Sequence, residues 1–324
     1  MEVKVLKTFE ISDSLWKQIA EGFTESFERP CSAEALKTGF CVQNKLGYGY
    51  HALALSDEGE LMGFNTFSPV FYKKGLKSVV SGSTFVRKKF RSNDLLFMDL
   101  MQALRKRVKD DGYLFEVGVP NHNSRNFAAK ILKCKYIGDL NYYILPVHIL
   151  KCIGRTSFYF MDYLNHIFVY IYVMLMMMFS TIVNTKEKVV KYELETDEEY
   201  WRARFDERRY SRYKKGNFHA YYRMYNEDGI KTAYLMDFRE GDRRTFRALS
   251  KAVHTILKKE DVDAILFVGF LRMLQGVLIK APRRFIPKPL PLTYYILNKA
   301  DKSKFGDMDN VDNWNFSLMN FDVR

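Results

Sequence analysis

The chain has 324 residues, and its 51 Lys and Arg against 38 Asp and Glu give a formal net charge of +13. Apolar residues make up 47% and aromatic residues 15%, which excludes a disordered chain, a collagen and a low-complexity fibre. Cys31, Cys41, Cys134 and Cys152 show no CxxC pair and no metal-ligand spacing, so the expectation is a reducing cytoplasm with neither a disulfide framework nor a zinc site.

The length suggests two domains. The opening stretch Met1–Glu10 has no apolar run, so no secretory signal is expected. Val3–Lys7 alternates like a strand. Ser12–Phe27 predicts a helix that Ser12, Asp13 or Ser14 can cap, with Leu15, Ile19, Phe23 and Phe27 on one face. Ser32–Asn44 predicts a second helix. Three strands follow at Tyr48–Leu55, Glu60–Tyr72 and Leu76–Val86. A helix over Asp94–Lys109, a strand over Tyr113–Val119, a helix over Ser124–Lys133 and a strand over Tyr136–Pro146 complete the first half.

From Tyr163 to Thr185 there is no Asp, Glu, Lys or Arg. That is long enough for a bilayer span, which needs about 20 mostly apolar residues. Lys151 and Arg155 before it, and Lys186 and Lys188 after it, give little orientation bias. A span, a helix buried between two domains and a helix lying in the membrane interface all remain open.

Beyond it, Lys188–Glu195 reads as a strand and Glu198–Tyr210 as a helix. Arg202, Arg204, Arg208, Arg209, Arg212, Lys214, Lys215 and Arg223 form the sharpest basic cluster, interleaved with Tyr200, Trp201, Tyr210 and Tyr213. Such a stretch can bind nucleic acid, but no nucleic-acid motif accompanies it, and no nucleic-acid partner is expected. Near the end, Trp314, Phe316 and Leu318 alternate as in a strand, after an Asp/Asn-rich stretch that reads as a turn or a cation site.

The two halves look related. Tyr142-Tyr143-Ile144-Leu145 recurs as Tyr294-Tyr295-Ile296-Leu297, and Leu114-Phe115 with Val117-Gly118 matches Leu266-Phe267-Val268-Gly269. Each follows a basic helical stretch, Asp94–Lys109 and Asp242–Lys259. Upstream, Tyr50–Leu55 and Leu61–Val70 pair with Phe218–Tyr225 and Thr232–Phe238, with turns at Asp57-Glu58-Gly59 and Glu227-Asp228-Gly229. A duplication follows from the shared order.

Strand, two helices, three strands, helix, strand, helix, strand resembles the acyl-CoA-dependent N-acyltransferases of the GNAT family. The family motif, R/Q-x-x-G-x-G/A opening a helix, aligns with Arg91 onward, with Asp94 and Leu96 at its two small positions. Asn123-Ser124, Leu132 and Tyr136-Ile137-Gly138 resemble the family's join from helix to last strand. The resemblance implies an α/β (α+β) fold of two mixed-sheet domains. Residues 1–147 would form a GNAT-like acyltransferase domain, 148–187 a hydrophobic helical linker, and 188–324 a second, divergent GNAT-like domain.

The resemblance also implies acetyl-CoA as co-substrate, held by Phe85, Val86, Arg87, Arg91, Ser92, Asn93, Asp94 and Leu95. A helix N-terminus offers unpaired N–H groups and partial positive charge to a pyrophosphate. Asp94 opposes it, while Arg87, Lys88, Lys89 and Arg91 crowd the same mouth. Capping by Ser92, Asn93 or Asp94 is the competing reading. Arg239-Glu240-Gly241-Asp242-Arg243-Arg244 is the second half's counterpart, either another cofactor site or a half that keeps the fold alone.

For catalysis, Glu116 on its strand and Asn121 and His122 at that strand's end are the candidates, with Glu116 as an outward-facing strand residue the alternative. Cys134 has no His partner at readable spacing, so a structural thiol is expected. The function expected is acetyl transfer to the amine of a sugar or other small acceptor. Two alternatives stand beside it: a non-catalytic relative held at a membrane or in a polysaccharide-assembly complex, and a tRNA-dependent aminoacyl transferase. A single span would separate two halves that share one cofactor pool. The run is therefore expected to be a linker helix packed across both, in a cytoplasmic protein, with membrane contact through 163–185 as the alternative.

Overall fold

The computed structural model describes all residues except 94, 153, 155–158, 206–208, 287 and 322–324, and leaves out the side chains of His122, Asn123, Tyr159, Phe285 and Lys302. The first half runs β1 (Glu2–Lys7), α1 (Asp13–Phe27), α2 (Ala33–Cys41), β2 (Tyr50–Leu55), β3 (Leu61–Tyr72), β4 (Leu76–Val86), α3 (Leu96–Asp110), β5 (Phe115–Gly118), α4 (His122–Lys130), β6 (Lys135–Asp139) and β7 (Asn141–Pro146). Ser12 and Ser32 cap α1 and α2 by accepting from the backbone N–H of Leu15 and Ala35. The rest of the chain holds α5 (Ile149–Cys152), α6 (Tyr159–Ile182), α7 (Glu198–Arg204), β8 (Ser211–Lys215), β9 (Phe218–Glu227), β10 (Ile230–Glu240), α8 (Phe246–Lys259), β11 (Ala264–Gly269), β12 (Ile279–Lys280) and β13 (Pro291–Ile296).

Two mixed sheets result, ordered β1-β2-β3-β4-β5-β13-β6 and β12-β7-β11-β10-β9-β8. The halves exchange strands. β13, from the second half, lies antiparallel to β5 with Thr293 opposite Gly118, while β7, from the first, lies antiparallel to β11 with Tyr143 opposite Phe267. The partition expected at residue 147 is therefore crossed twice, and the repeated Tyr-Tyr-Ile-Leu segments are the two exchanged strands. One unbroken strand over Tyr136–Pro146 is not formed. The chain leaves one sheet for the other at Leu140, a buried residue whose N–H bonds the Leu290 carbonyl at 2.9 Å.

The internal correspondence also shifts by one strand. β4 and β10 each precede the basic helix and each lies parallel to the next strand, β5 or β11. Hence β9 and β10 correspond to β3 and β4, and the turn matching Glu227-Asp228-Gly229 is Lys73-Lys74-Gly75. Pairing in isolated strand runs cannot reveal this, because the parallel partner is set by the crossover helix.

One aromatic core joins the halves. Tyr192 stacks on Trp314 at 4.2 Å between ring centroids, and Tyr72 and Phe115 of the first half meet Trp314 edge-on at 6.1 Å. Lys188–Glu195 contributes only isolated bridges, Tyr72 to Leu194 and Tyr192 to Trp314, rather than a strand. The predicted helix over Glu198–Tyr210 ends at Arg204, and Tyr210 leads into β8. α6 packs by Val169 and Val173 against the second half's core, along α8, and not across both halves. It is long and apolar enough to cross a membrane by composition, yet only 17% of its most apolar window is buried.

Candidate active site

β4 and β5 run together only from Ser78 to Ser81 against Phe115 to Gly118. Beyond that they diverge, and the reason is local. Ser83 adopts φ +43°, and the β3–β4 register slips between Phe64 and Thr66, so β4 bends at a bulge. One edge of Gly82–Val86 is left without a strand partner, and these five residues line a cavity of about 2120 Å³. The exchanged strand makes the floor, where the Thr293 hydroxyl donates to the Gly118 carbonyl at 3.1 Å. The cavity continues past α2 residues Thr38 and Gly39 to Tyr225 and Met236 of the second half. That is larger than a single small-molecule pocket of about 300–1,000 Å³. Asn320 lines it too, with a buried Nδ2 that has no hydrogen-bond partner among the described residues.

At the mouth stands the start of α3. Leu95 occupies the cap position with no side-chain bond to the helix. Asn93 instead accepts from Leu95 N–H at 3.2 Å, one residue before the helix begins. The Leu96 N–H bonds the Asn93 carbonyl at 3.2 Å, and among the described residues no side chain caps the N–H groups that follow. The expected crowd of cations is thinner than its sequence spacing implies. Arg87 donates to Glu25 at 3.1 Å, Glu25 also accepts the Lys88 N–H at 2.6 Å, and Lys89 pairs with Glu60. These acids arrive from α1 and the β2–β3 turn, which no linear spacing shows. Arg91 is different: it lines the cavity, and its one hydrogen bond among the described residues runs from Nε to the Val86 carbonyl at 3.0 Å. Phe85 is buried against Phe64 and Phe23, close above Gly22, so it shapes the strand more than it meets a ligand. Ser92 is exposed beside the same mouth, and Asp94 lies outside the described residues.

The catalytic candidates separate. Glu116 is buried rather than outward-facing, and it lines the cavity. It accepts from Arg105 Nε at 2.7 Å, and the same guanidinium donates to the Leu132 carbonyl and to Cys134 Sγ. Burial pushes its carboxyl above the usual range and Arg105 pulls part of that back. The cluster clamps α3 to β5 and to the turn after α4. Cys134 is held there as a thiol, its pKa pushed up to about 12 by burial and by Glu116. Asn121 caps α4, accepting from the Ser124 N–H and hydroxyl at 2.9 Å each. His122 opens that helix, with its side chain outside the described residues. Among the described residues, Glu34, Glu227 and Asp228 are the other carboxylates of the cavity.

In the second half the equivalent opening is filled. After Thr232–Tyr234 the parallel pairing of β10 with β11 ends, and Trp314–Phe321 enters the gap. Phe270 N–H donates to the Phe316 carbonyl at 2.9 Å and Leu318 N–H to the Val268 carbonyl at 3.1 Å. Gly269, at φ +152°, permits the approach, since an added Cβ would lie 2.5 Å from Ser317 Cβ. Below it, buried Asp237 accepts from Arg239 at 2.9 Å and Arg244 at 2.6 Å, and Arg244 also bonds Asn315. Two of the second motif's three arginines, Arg239 and Arg244, thus turn inward, while Arg243 stays exposed. The mouth of α8 is used up as well: Phe246, Arg247 and Ala248 N–H groups bond Thr185, Asn184 and Thr245.

Signals for two of these features exist in the sequence. A Gly inside a strand pattern, Gly82, marks the bulge, and Thr245 three residues before Ala248 marks the cap. Nothing in the pattern announces that Trp314–Phe321 enters the second opening.

No family model matches the chain, and no curated protein matches it. Among solved structures it is similar to a GCN5-related N-acetyltransferase from Anabaena variabilis, with TM-score 0.56 at 10% identity over 92% of this chain and 73% of that one. A probable N-acyltransferase from Enterococcus faecalis gives TM-score 0.54 at 10% identity, over the same shares of the two chains. A GCN5-related N-acetyltransferase from Kribbella flavida gives 0.54 at 9%, over 91% of this chain and 71% of that one. The chain therefore has the GNAT N-acetyltransferase fold, in a mixed α/β architecture of two sheets.

Proposed function

We propose that the protein is an acyl-CoA-dependent N-acyltransferase whose single cofactor site is the first-half opening. The carrying observation is the α3 mouth, which no side chain caps among the described residues and which stands beside the unpaired edge of Gly82–Val86. Its N–H groups and Arg91 suit a pyrophosphate. The free β4 edge suits the amides of a pantetheine arm. Arg87 and Lys89 support the loop from behind rather than meeting the ligand. The acyl group transferred is acetyl, and the acceptor is the amine of a sugar or another small molecule, in the cytoplasm where the co-substrate is made.

Transfer needs a neutral amine and a donor for the developing oxyanion. The unpartnered Asn320 amide is a donor of the right kind. Calorimetry of the full chain with acetyl-CoA tests the reading. One saturable site, weakened by Arg91→Glu, is expected. No binding by folded protein would overturn it, and two sites of similar affinity would overturn the assignment to the first half alone.

A further inference from the structure

α6 presents a feature that acyl transfer does not use. Twelve of its large apolar side chains are 38–83% exposed, among them Phe168 at 70% and Ile182 at 83%. Placed at 100° per residue, they fill a sector of about 160° centred on Leu164, Ile171 and Met178. No Asp, Glu, Lys or Arg interrupts the helix after Asp162. Leu274 and Ile279, both exposed, extend the patch onto neighbouring segments. A contiguous exposed apolar face of this kind marks an interaction site.

Both ends of α6 are fastened to the same body. Asp162 accepts from the Leu150 and Lys151 N–H groups at 2.9 and 3.1 Å, and Asn165 reaches the Val147 carbonyl. At the other end Phe246 N–H bonds the Thr185 carbonyl, and Leu274 N–H bonds the Thr185 hydroxyl. With the opposite face buried by Val169 and Val173, the helix lies along the protein surface.

Charge selects the occupant. α8, beside it, carries Arg247, Lys251, Lys258 and Lys259 and no acid. Lys186, Lys188, Lys258 and Lys280 are exposed on the segments around α6. Nearby acids are already paired: Asp263 with Lys151, Asp261 with Lys231 and Glu240 with Arg247. A paired helix from a second copy would call for a narrow seam with charged flanks on the helix itself. A broad uncharged face inside a basic border fits a bilayer interface.

We infer that α6 docks the protein flat on an anionic membrane, with Phe168 and Leu175 among the acyl chains and the surrounding lysines at the lipid phosphates. The test is flotation of the full chain with vesicles of equimolar phosphatidylglycerol and phosphatidylcholine, against phosphatidylcholine alone. Binding about tenfold stronger to the anionic vesicles is expected. The double change Phe168→Asp with Leu175→Asp lowers it by more than about tenfold, with no fall in the thermal midpoint because both side chains are exposed. Lys186→Glu with Lys258→Glu removes the anionic preference. Absence of flotation, or equal flotation with neutral vesicles, overturns the inference. So does a dimer that the Phe168→Asp, Leu175→Asp variant dissociates while the vesicles remain bare.

Discussion

The two openings are built from the same parts and end in opposite states. In each, a long strand leads to a basic helix and pairs briefly with a parallel neighbour before the two diverge. In the first half the gap remains a cavity, and among the described residues the helix mouth has no side-chain cap, though the Leu95 and Leu96 N–H groups both bond Asn93. In the second, Trp314–Phe321 fills the gap, and three N–H groups of the mouth are bonded within the protein. Fold alone therefore does not make the site. What matters is whether the strand edges and helix N–H groups are left for a ligand or satisfied by the chain itself.

The largest expected effect lies in the filled half. Asp237→Asn leaves Arg239 buried without its counter-charge and Arg244 with only Glu187, at 3.7 Å, and should cost about 3–5 kcal/mol in urea unfolding. A loss below about 1 kcal/mol would show that this ion cluster does not hold the plug. Next comes Gly269→Ala. Its Cβ would meet Ser317 Cβ at 2.5 Å and the Phe316 carbonyl oxygen at 2.6 Å, at a φ that L residues avoid. Backbone contacts cannot rotate away, so about 2–3 kcal/mol of stability should be lost. Unchanged stability would mean that the segment can step aside, and the two halves would then be closer in kind.

Much of the architecture was legible because it is periodic. The edges of β3 and β4 fall within a residue of those expected, and α1 carries the cap expected at Ser12, whereas α8 begins at Phe246, four residues past the expected Asp242. The strand exchange was not, because a strand's partner is decided at long range: Tyr142 and Tyr294 occupy equivalent places in opposite sheets. Local charge misled in the same way. Arg87 and Lys89 look like phosphate ligands beside Arg91 until Glu25 and Glu60 arrive from α1 and a distant turn. Glu116 reads as a possible base until Arg105, eleven residues upstream, closes on it. Sequence shows which groups exist, and the tertiary fold decides which of them are already satisfied.

A matched pair of charge reversals then sharpens the comparison on the ligand side. Arg91 and Arg243 stand near the two helix mouths, both exposed. Arg91→Glu should weaken acetyl-CoA binding about ten- to thirtyfold, the loss of one charge-assisted contact. Arg243→Glu should leave the dissociation constant within about twofold, since a surface charge at a closed mouth meets only screened potential. Equal losses from both would show that the second mouth also binds.

The smallest expected effect probes the brace behind the open mouth. The Lys88 N–H and the Arg87 guanidinium hold the Glu25 carboxyl below its usual range, against partial burial. A lowered folded-state value means that the contribution is present above the unfolded value of 4.5 and is lost as pH falls through the folded one. Glu25→Gln should therefore remove a few tenths of a kcal/mol at neutral pH, the pair being partly solvated and screened, and the difference from the parent should vanish under acid. Arg87 would keep its ion pair with Glu60 at 3.5 Å. Acetyl-CoA affinity in Glu25→Gln should stay level. A clear fall would show that Arg87 serves the site only when Glu25 fixes it, so that the brace is part of the binding machinery.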